Sequence, residues 1–574
     1  MIFFNKTKRI LGAVVALVFF SQQLMAVPPS PALLEEVRNL KKELPYFALN
    51  LDALHRKGVC TGEKTININN KHLGESNSLS PAVVGPFKIL ALLVDFSDNT
   101  NGVAATFFDS LIFDTLGNTI KDYYDEVSYG QLDLITVNLP SSVGWQRAPQ
   151  TYAYYVNGEN GIGAYPTNTQ KLTEDLVDQV DSLVDFSNYD NDNNGTVDVL
   201  LIIHAGSGAE FSSSNDDIWS HKWAITPRSK DGVTISNYAV QPEFWTSPGD
   251  MTIGVYTHEL GHGFGLPDLY DTDYSSYGIG GWGLMSYGSW SGPGSDGSSP
   301  THPCAWSKIQ MGFTTAINVT SNITSQIITN VENNQSIYRL WNAGGTSTEY
   351  FLIENRQKTG YDSFLKSSGL LIWHIDDTKA GNTEEWYTGQ PGANHFLVAL
   401  KQADGLYEIE QNIDQGDAAD PYPGTTANTG FNSTSLPVSN AYDGSATFVS
   451  VNNIVISGDT VIADLFVGLS SGINSEIDQL RPGSIELGQN YPNPFNPSTS
   501  ISFTTTKGGI AELTIYNVIG EKVTTLFEKY VSPGTKTIEW NGTDKNGNAV
   551  SSGIYFYRLL FETENSTKKM TLLK

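Results

Sequence analysis

The sequence predicts a multidomain protein: an α/β domain, a β-rich domain and a small C-terminal immunoglobulin-like β-sandwich. The chain has 574 residues, too many for one ordinary core, so two to four domains are expected. Apolar runs at 88–95 and 197–204 read as buried strands, and helical patterns at 119–127 and 169–184 fall between them. That alternation predicts an α/β sheet domain over residues 85–312. Beyond residue 313 the helical periodicity stops and short strands recur at 350–354, 369–375, 396–400 and 460–466, which predicts a β-rich domain over 313–469. Residues 470–486 are polar and read as a linker. Alternating strands at 511–516 and 554–559, with an Asn546-Gly547 turn, predict the sandwich over 487–574.

The N-terminus carries Lys6, Lys8 and Arg9, then an apolar run over 10–20, then Ser21 to Ala26, ending in a small residue. This is the layout of a secretory signal peptide over residues 1–26, its apolar run too short to span a bilayer. Residues 27–84 then read as a pro-segment. No transmembrane segment is expected in the mature chain, and a secreted or surface location is. A formal net charge of −27 repels phosphate backbones and excludes nucleic acid as a partner, while suiting hard cations such as calcium. With only Cys60 and Cys304, no disulfide framework holds the fold. A monomer is expected.

The chemistry is concentrated in His258-Glu259-Leu260-Gly261-His262-Gly263-Phe264-Gly265-Leu266-Pro267-Asp268. On a helix, residues four apart share a face, so His258 and His262 can hold one zinc ion while Glu259 is offset toward the water that the metal polarises. Ile253, Tyr256, Leu260 and Phe264 supply an apolar face to fix the helix. Gly265 can end it in the left-handed conformation, letting the chain turn so that Asp268 is the third ligand. The spacing is the metzincin pattern with Asp in place of the usual third His. The alternative third ligand, a downstream Glu, finds no candidate before Glu332, which sits in a strand-and-turn context. Met285, in Gly-Leu-Met-Ser-Tyr-Gly, is expected as a packing floor, and Tyr287 as a hydroxyl donor to the developing oxyanion.

A second metal is expected from Asp190, Asp192, Asn194, Thr196 and Asp198, whose spacing follows the first part of a calcium loop, with Gly195 at its sixth position. Position 12 is Leu201 and a strand follows, so the match is partial. Cys60 has two readings, a thiolate cap on the zinc or a pairing with Cys304. His204, His221, His302, His374 and His395 lack ligand spacing and are expected as hydrogen-bonded core residues.

With these residues in view, the chain resembles the immune inhibitor A, or M6, family of secreted metallopeptidases over about 87–467. The stretches that carry the likeness are 121–132, 190–210, the zinc segment through Asp271, 284–290, 353–357 and 369–376. The resemblance implies zinc-dependent endopeptidase activity on protein or peptide substrates, calcium sites and a removable pro-segment. The last 88 residues resemble a type IX secretion system sorting domain, through Leu487-Gly-Gln-Asn-Tyr-Pro-Asn-Pro-Phe, Trp540-Asn-Gly-Thr-Asp and Ser552-Gly-Ile-Tyr-Phe-Tyr-Arg558. That implies export through the type IX machinery. A rival reading is a surface-displayed binding or adhesion protein with an inactive peptidase domain; the intact Glu259 argues against it.

Overall fold

A computed structural model describes residues 25–39, 42, 45–46, 83–387, 394–468, 485–505, 508–518, 521–561 and 564–574. Residues 1–24 of the expected signal peptide, most of the expected pro-segment with Cys60, and the linker up to residue 484 lie outside them. The chain divides into two compact units, one ending at Leu469 and one starting at Ser470.

The first unit is organised on a six-stranded sheet, in the order Met25–Ala26, His221–Lys230, Val233–Pro242, Leu200–His204, Leu90–Asp95, Trp145–Arg147. Leu90–Asp95, Leu200–His204 and Val233–Pro242 run parallel to one another. Side chains along a strand alternate between its faces, and both faces here are covered. Ala91, Leu93, Leu201 and Ile203 join one core, whereas Leu90, Leu92, Leu200 and Ile202 join another. The apolar run read as one strand at 88–95 is split, because Gly85–Lys88 pairs with Leu132–Ile135 in a separate two-stranded sheet.

Helix Thr169–Val180 covers one face, its N-terminus capped by the Asn168 side chain. Its buried face is Leu172, Leu176, Val177 and Val180. On the other face lie helix Ile120–Val127, capped by Thr119, and helix Gly254–Gly263. The latter has nine buried residues out of ten. Its lack of an amphipathic stripe is what a helix enclosed on all sides requires.

Beyond residue 312 the elements are β-rich, with a five-stranded sheet, whose order is Val398–Leu400, Gly369–Asp376, Glu349–Arg356, Ile337–Leu340, Ile317–Asn318, and a three-stranded sheet. One core nevertheless runs across residue 312: Trp373, Leu371, Leu352 and Ile409 belong to the same cluster as Leu260, Met285 and Trp306. At this junction the fully buried Arg356 makes a two-pronged contact with Asp362, at 2.6 and 2.7 Å, and reaches Glu354 at 3.4 Å. The second unit is two antiparallel sheets of three and four strands sharing one core, with Ile501, Phe503 and Trp540 from one and Leu513, Ile515, Tyr557 and Leu559 from the other.

Candidate active site

Helix Gly254–Gly263 is pinned by Tyr124, whose hydroxyl donates to the Thr257 carbonyl at 2.7 Å, and by Tyr256, whose hydroxyl donates to the Pro242 carbonyl at 2.7 Å. It ends in a reverse turn. Gly265 adopts φ +91, its N–H donates to the His262 carbonyl, and the Leu266 N–H donates to the Gly261 carbonyl. Nothing crowds the place a Gly265 β-carbon would take, so the requirement for glycine comes from the dihedral. The turn returns the chain to the helix at Asp268.

The consequence is that three ligand atoms face one point. His258 Nε2 and His262 Nε2 are 3.1 Å apart, and Asp268 Oδ1 lies 3.1 Å from the first and 3.2 Å from the second. Each imidazole is oriented through its other nitrogen, His258 Nδ1 by the Leu284 carbonyl at 3.0 Å and His262 Nδ1 by the Leu266 carbonyl at 2.8 Å. Those carbonyls hold the protons on Nδ1, so both Nε2 lone pairs and a carboxylate oxygen point at each other. Three such acceptors repel unless a cation lies among them. Bonds of about 2.0–2.1 Å in a tetrahedron give ligand separations of about 3.3–3.4 Å, close to those observed. The residues present therefore fit a metal ion.

Glu259 is fully buried beside them. Its Oε1 accepts the Val27 N–H at 2.9 Å, and its Oε2 is buried with no hydrogen-bond partner among the described residues. Burial, then the carboxylates of Asp268 and Glu210, push its carboxyl well above the ordinary value. Asp268 is held below the usual carboxylate range: burial works to raise it, and the two histidines outweigh that. Met285 lies under the helix, where a β-carbon at Gly261 would stand 2.6 Å from its Sδ.

Tyr287 is 3% exposed and its ring packs 5.1 Å from that of Tyr277 and 6.2 Å from that of Tyr270. The Tyr270 hydroxyl donates to the Ala26 carbonyl at 2.7 Å. Sequence reading did not single it out, although it follows Asp268 by two residues. Lys222, on strand His221–Lys230, donates from Nζ to the His262 carbonyl at 2.8 Å, securing the helix end. Glu332 is engaged elsewhere, accepting the Gln357 N–H at 2.7 Å and lying 3.6 Å from Arg356.

Asp190, Asp192 and Asp198 bring one carboxylate oxygen each within 4.8 Å of one another. Asn194 and Gly195 N–H groups donate to Asp190, and Asn194 Oδ1 accepts the Thr196 N–H at 2.8 Å. Cys304 is a buried free thiol, 3.4 Å from the Ser307 hydroxyl, and burial pushes it up to about 11. The remaining histidines among the described residues have hydrogen-bond partners: Ala205 for His204, Trp219 and Thr169 for His221, Glu126 for His302, Glu349 for His374 and Asp376 for His395.

The helix, the returning carboxylate and the buried glutamate together form a candidate metal-binding domain. Its type follows from comparison: residues 110–314 match the immune inhibitor A peptidase M6 catalytic domain, and residues 489–572 match the secretion system C-terminal sorting domain. The chain is 33% identical over 216 residues to immune inhibitor A of Bacillus thuringiensis subsp. alesti, covering 32% of this chain and 30% of that protein. It is 29% identical over 273 residues to pre-pro-metalloprotease PrtV of Vibrio cholerae serotype O1 (strain M66-2), covering 38% of this chain and 29% of that one. The matched stretch thus spans less than a third of the length of these curated relatives. Among solved structures, OgpA from Akkermansia muciniphila aligns over 89% of this chain and 97% of its own, at 11% identity and a TM-score of 0.21, a likeness too slight to bear on the fold. The sorting domain marks a secreted or cell-surface protein. No helix among the described residues is long and apolar enough to cross a membrane.

Proposed function

We propose that the chain is a secreted zinc-dependent endopeptidase acting on extracellular proteins or peptides. The observation that carries this reading is the convergence of His258, His262 and Asp268 on one point beside the unpartnered Glu259 Oε2. A zinc ion held there would supply Lewis acidity toward a water molecule and the scissile carbonyl. Glu259, with one carboxylate oxygen unpartnered among the described residues, would take a proton from the attacking water and deliver it to the leaving amine. Tyr270 donates to the carbonyl oxygen as negative charge grows on it. The backbone of His221–Lys230, where it pairs with Met25–Ala26, supports binding of an extended peptide by strand addition.

Asp268 as third ligand and Met285 beneath the helix support a metzincin-type domain, and the two sheets of the second unit support an immunoglobulin-like sandwich. The loop carboxylates Asp190, Asp192 and Asp198, with Asn194 and Thr196, support a calcium site. The C-terminal unit serves as the address read by a type IX secretion machinery. Casein hydrolysis by wild type and by Glu259→Ala, each with and without a zinc chelator, tests the reading. Turnover only by the untreated wild type is expected, and equal turnover by both proteins would remove the mechanism.

A further inference from the structure

Strand His221–Lys230 carries a cation on the side of the sheet that packs against the ligand helix. Residues opposite each other on antiparallel strands share a face. Lys222 lies opposite Ala239, which joins the core that contains Leu260 and Met285, whereas His221 and Trp223 lie opposite Val240 and Tyr238 on the other face. An ammonium turned toward a core loses hydration unless a group there accepts its protons. Lys222 Nζ donates to the His262 carbonyl at 2.8 Å, and among the described residues it forms no other hydrogen bond and no ion pair.

His262 lies in the last turn of helix Gly254–Gly263, where carbonyls lack partners within the helix and the helix dipole favours a cation. The same carbonyl accepts the Gly265 N–H at 3.0 Å, so the ammonium grips the first peptide of the reverse turn. Two of the three ligand atoms depend on that turn. The Leu266 carbonyl orients the His262 ring through Nδ1 at 2.8 Å, and Asp268 Oδ1 then comes to 3.2 Å from His262 Nε2. Lys222 is also a register position at which the strand pairs with Met25 through its backbone. The strand that supports an extended peptide and the helix that carries the histidines are therefore tied at one residue.

We propose that Lys222 is a positioning residue for the metal centre: its ammonium holds the turn that orients His262 and returns Asp268, and so sets the affinity of the site for zinc. This rests on the reading of His258, His262 and Asp268 as metal ligands. One carbonyl asks for one donor and no bidentate fork, so arginine can take the place of lysine here. Methionine, which matches the unbranched stem and carries no donor, cannot.

The test uses the full chain as wild type, Lys222→Met and Lys222→Arg, with zinc alone as the probe. Each protein is stripped of metal, and its zinc affinity is read by competition with a chromophoric chelator. Lys222→Met is expected to bind zinc about 10–100-fold more weakly than wild type, the loss that follows removal of an outer-shell partner. Lys222→Arg is expected to recover most of that loss. Zinc binding by Lys222→Met equal to wild type overturns the proposal, and so does equal weakening in both variants, which would assign the effect to the shape of the stem. Circular dichroism shows whether the metal-free variants are folded. Where Lys222→Met is not, Lys222→Gln, whose donor is one bond short, takes its place and the same outcomes decide. Casein turnover by zinc-loaded wild type separates the proposal from the peptidase reading. If zinc binding follows the expected order and wild type does not hydrolyse casein, the positioning role stands and the peptidase reading fails. If wild type hydrolyses casein and Lys222→Met binds zinc as wild type does, the positioning role alone fails. Wild type that binds no zinc overturns both.

Discussion

Met285 packs so tightly beneath Gly261 that a β-carbon at Gly261 would stand 2.6 Å from the methionine sulfur. The glycine between His258 and His262 is thus set by what lies under the helix. Gly261→Ala is expected to push the helix off its floor and cost about 1–3 kcal/mol, the usual penalty for overfilling a core. Chemical denaturation measures it, and Met285→Ala in the same chain should restore part of the loss.

Asp268 Oδ1 lies 3.1 Å from His258 Nε2 and 3.2 Å from His262 Nε2, and a Glu259 carboxylate oxygen also lies within 4.8 Å of both histidines. Asp268→Ala is expected to weaken zinc retention by more than the roughly 10–100-fold that losing an outer-shell partner costs. Metal content after dialysis against a weak chelator gives the answer, and full retention would show that the ligand is another group.

Tyr270 and Tyr287 can be separated by removing one hydroxyl at a time. Tyr270→Phe is expected to lower kcat by about 10²–10³ with little change in KM, as loss of a donor to a developing oxyanion does. Tyr287→Phe, buried among aromatic rings, is expected to leave kcat within a few-fold. The reverse order would assign the role to Tyr287.

The buried Arg356 contacts Asp362 and Glu354 and lies near Glu332. Arg356→Met leaves these acids without their cation in a dry site and is expected to destabilise the first unit by about 3–5 kcal/mol. Urea unfolding followed by tryptophan fluorescence measures the change.

Asp376 accepts from His395 at 2.7 Å and from Thr378, and these contacts outweigh burial to hold its carboxyl down to about 2. A carboxyl lower in the folded than in the unfolded chain stabilises above the unfolded value, near 3.8, and that stability fades as pH falls toward 2. Wild type is therefore expected to lose stability more steeply than Asp376→Asn between pH 4 and pH 2. Denaturation midpoints at pH 6, 4 and 3 test this, and parallel curves would count against it.

Much of the site was legible because its signals are local. Four-residue spacing puts His258 and His262 on one helical face, and Gly265 marks the turn that returns Asp268. The apolar strands at the centre of the six-stranded sheet were legible as unbroken buried runs. The rest depends on contacts distant in sequence. Tyr270 is one of 27 tyrosines, and only the partner of its hydroxyl, Ala26, distinguishes it. Residues 25–30 carry the signature of a leader's end, and their place beside Glu259 depends on Trp219, Trp290 and Glu210, some 180 to 260 positions away. Composition and periodicity change at residue 313, but a core that crosses that point leaves no periodic trace.

That crossing core bears on how long the molecule survives among peptidases. An internal bond must be drawn out as an extended strand before it can be cut, so local opening sets the rate of cutting. With Trp373 and Leu352 packed into the same interior as Leu260 and Met285, neither half of the first unit can open without exposing the other's apolar surface. Partial unfolding then costs nearly as much as complete unfolding, so the first unit rarely offers an extended strand to a peptidase.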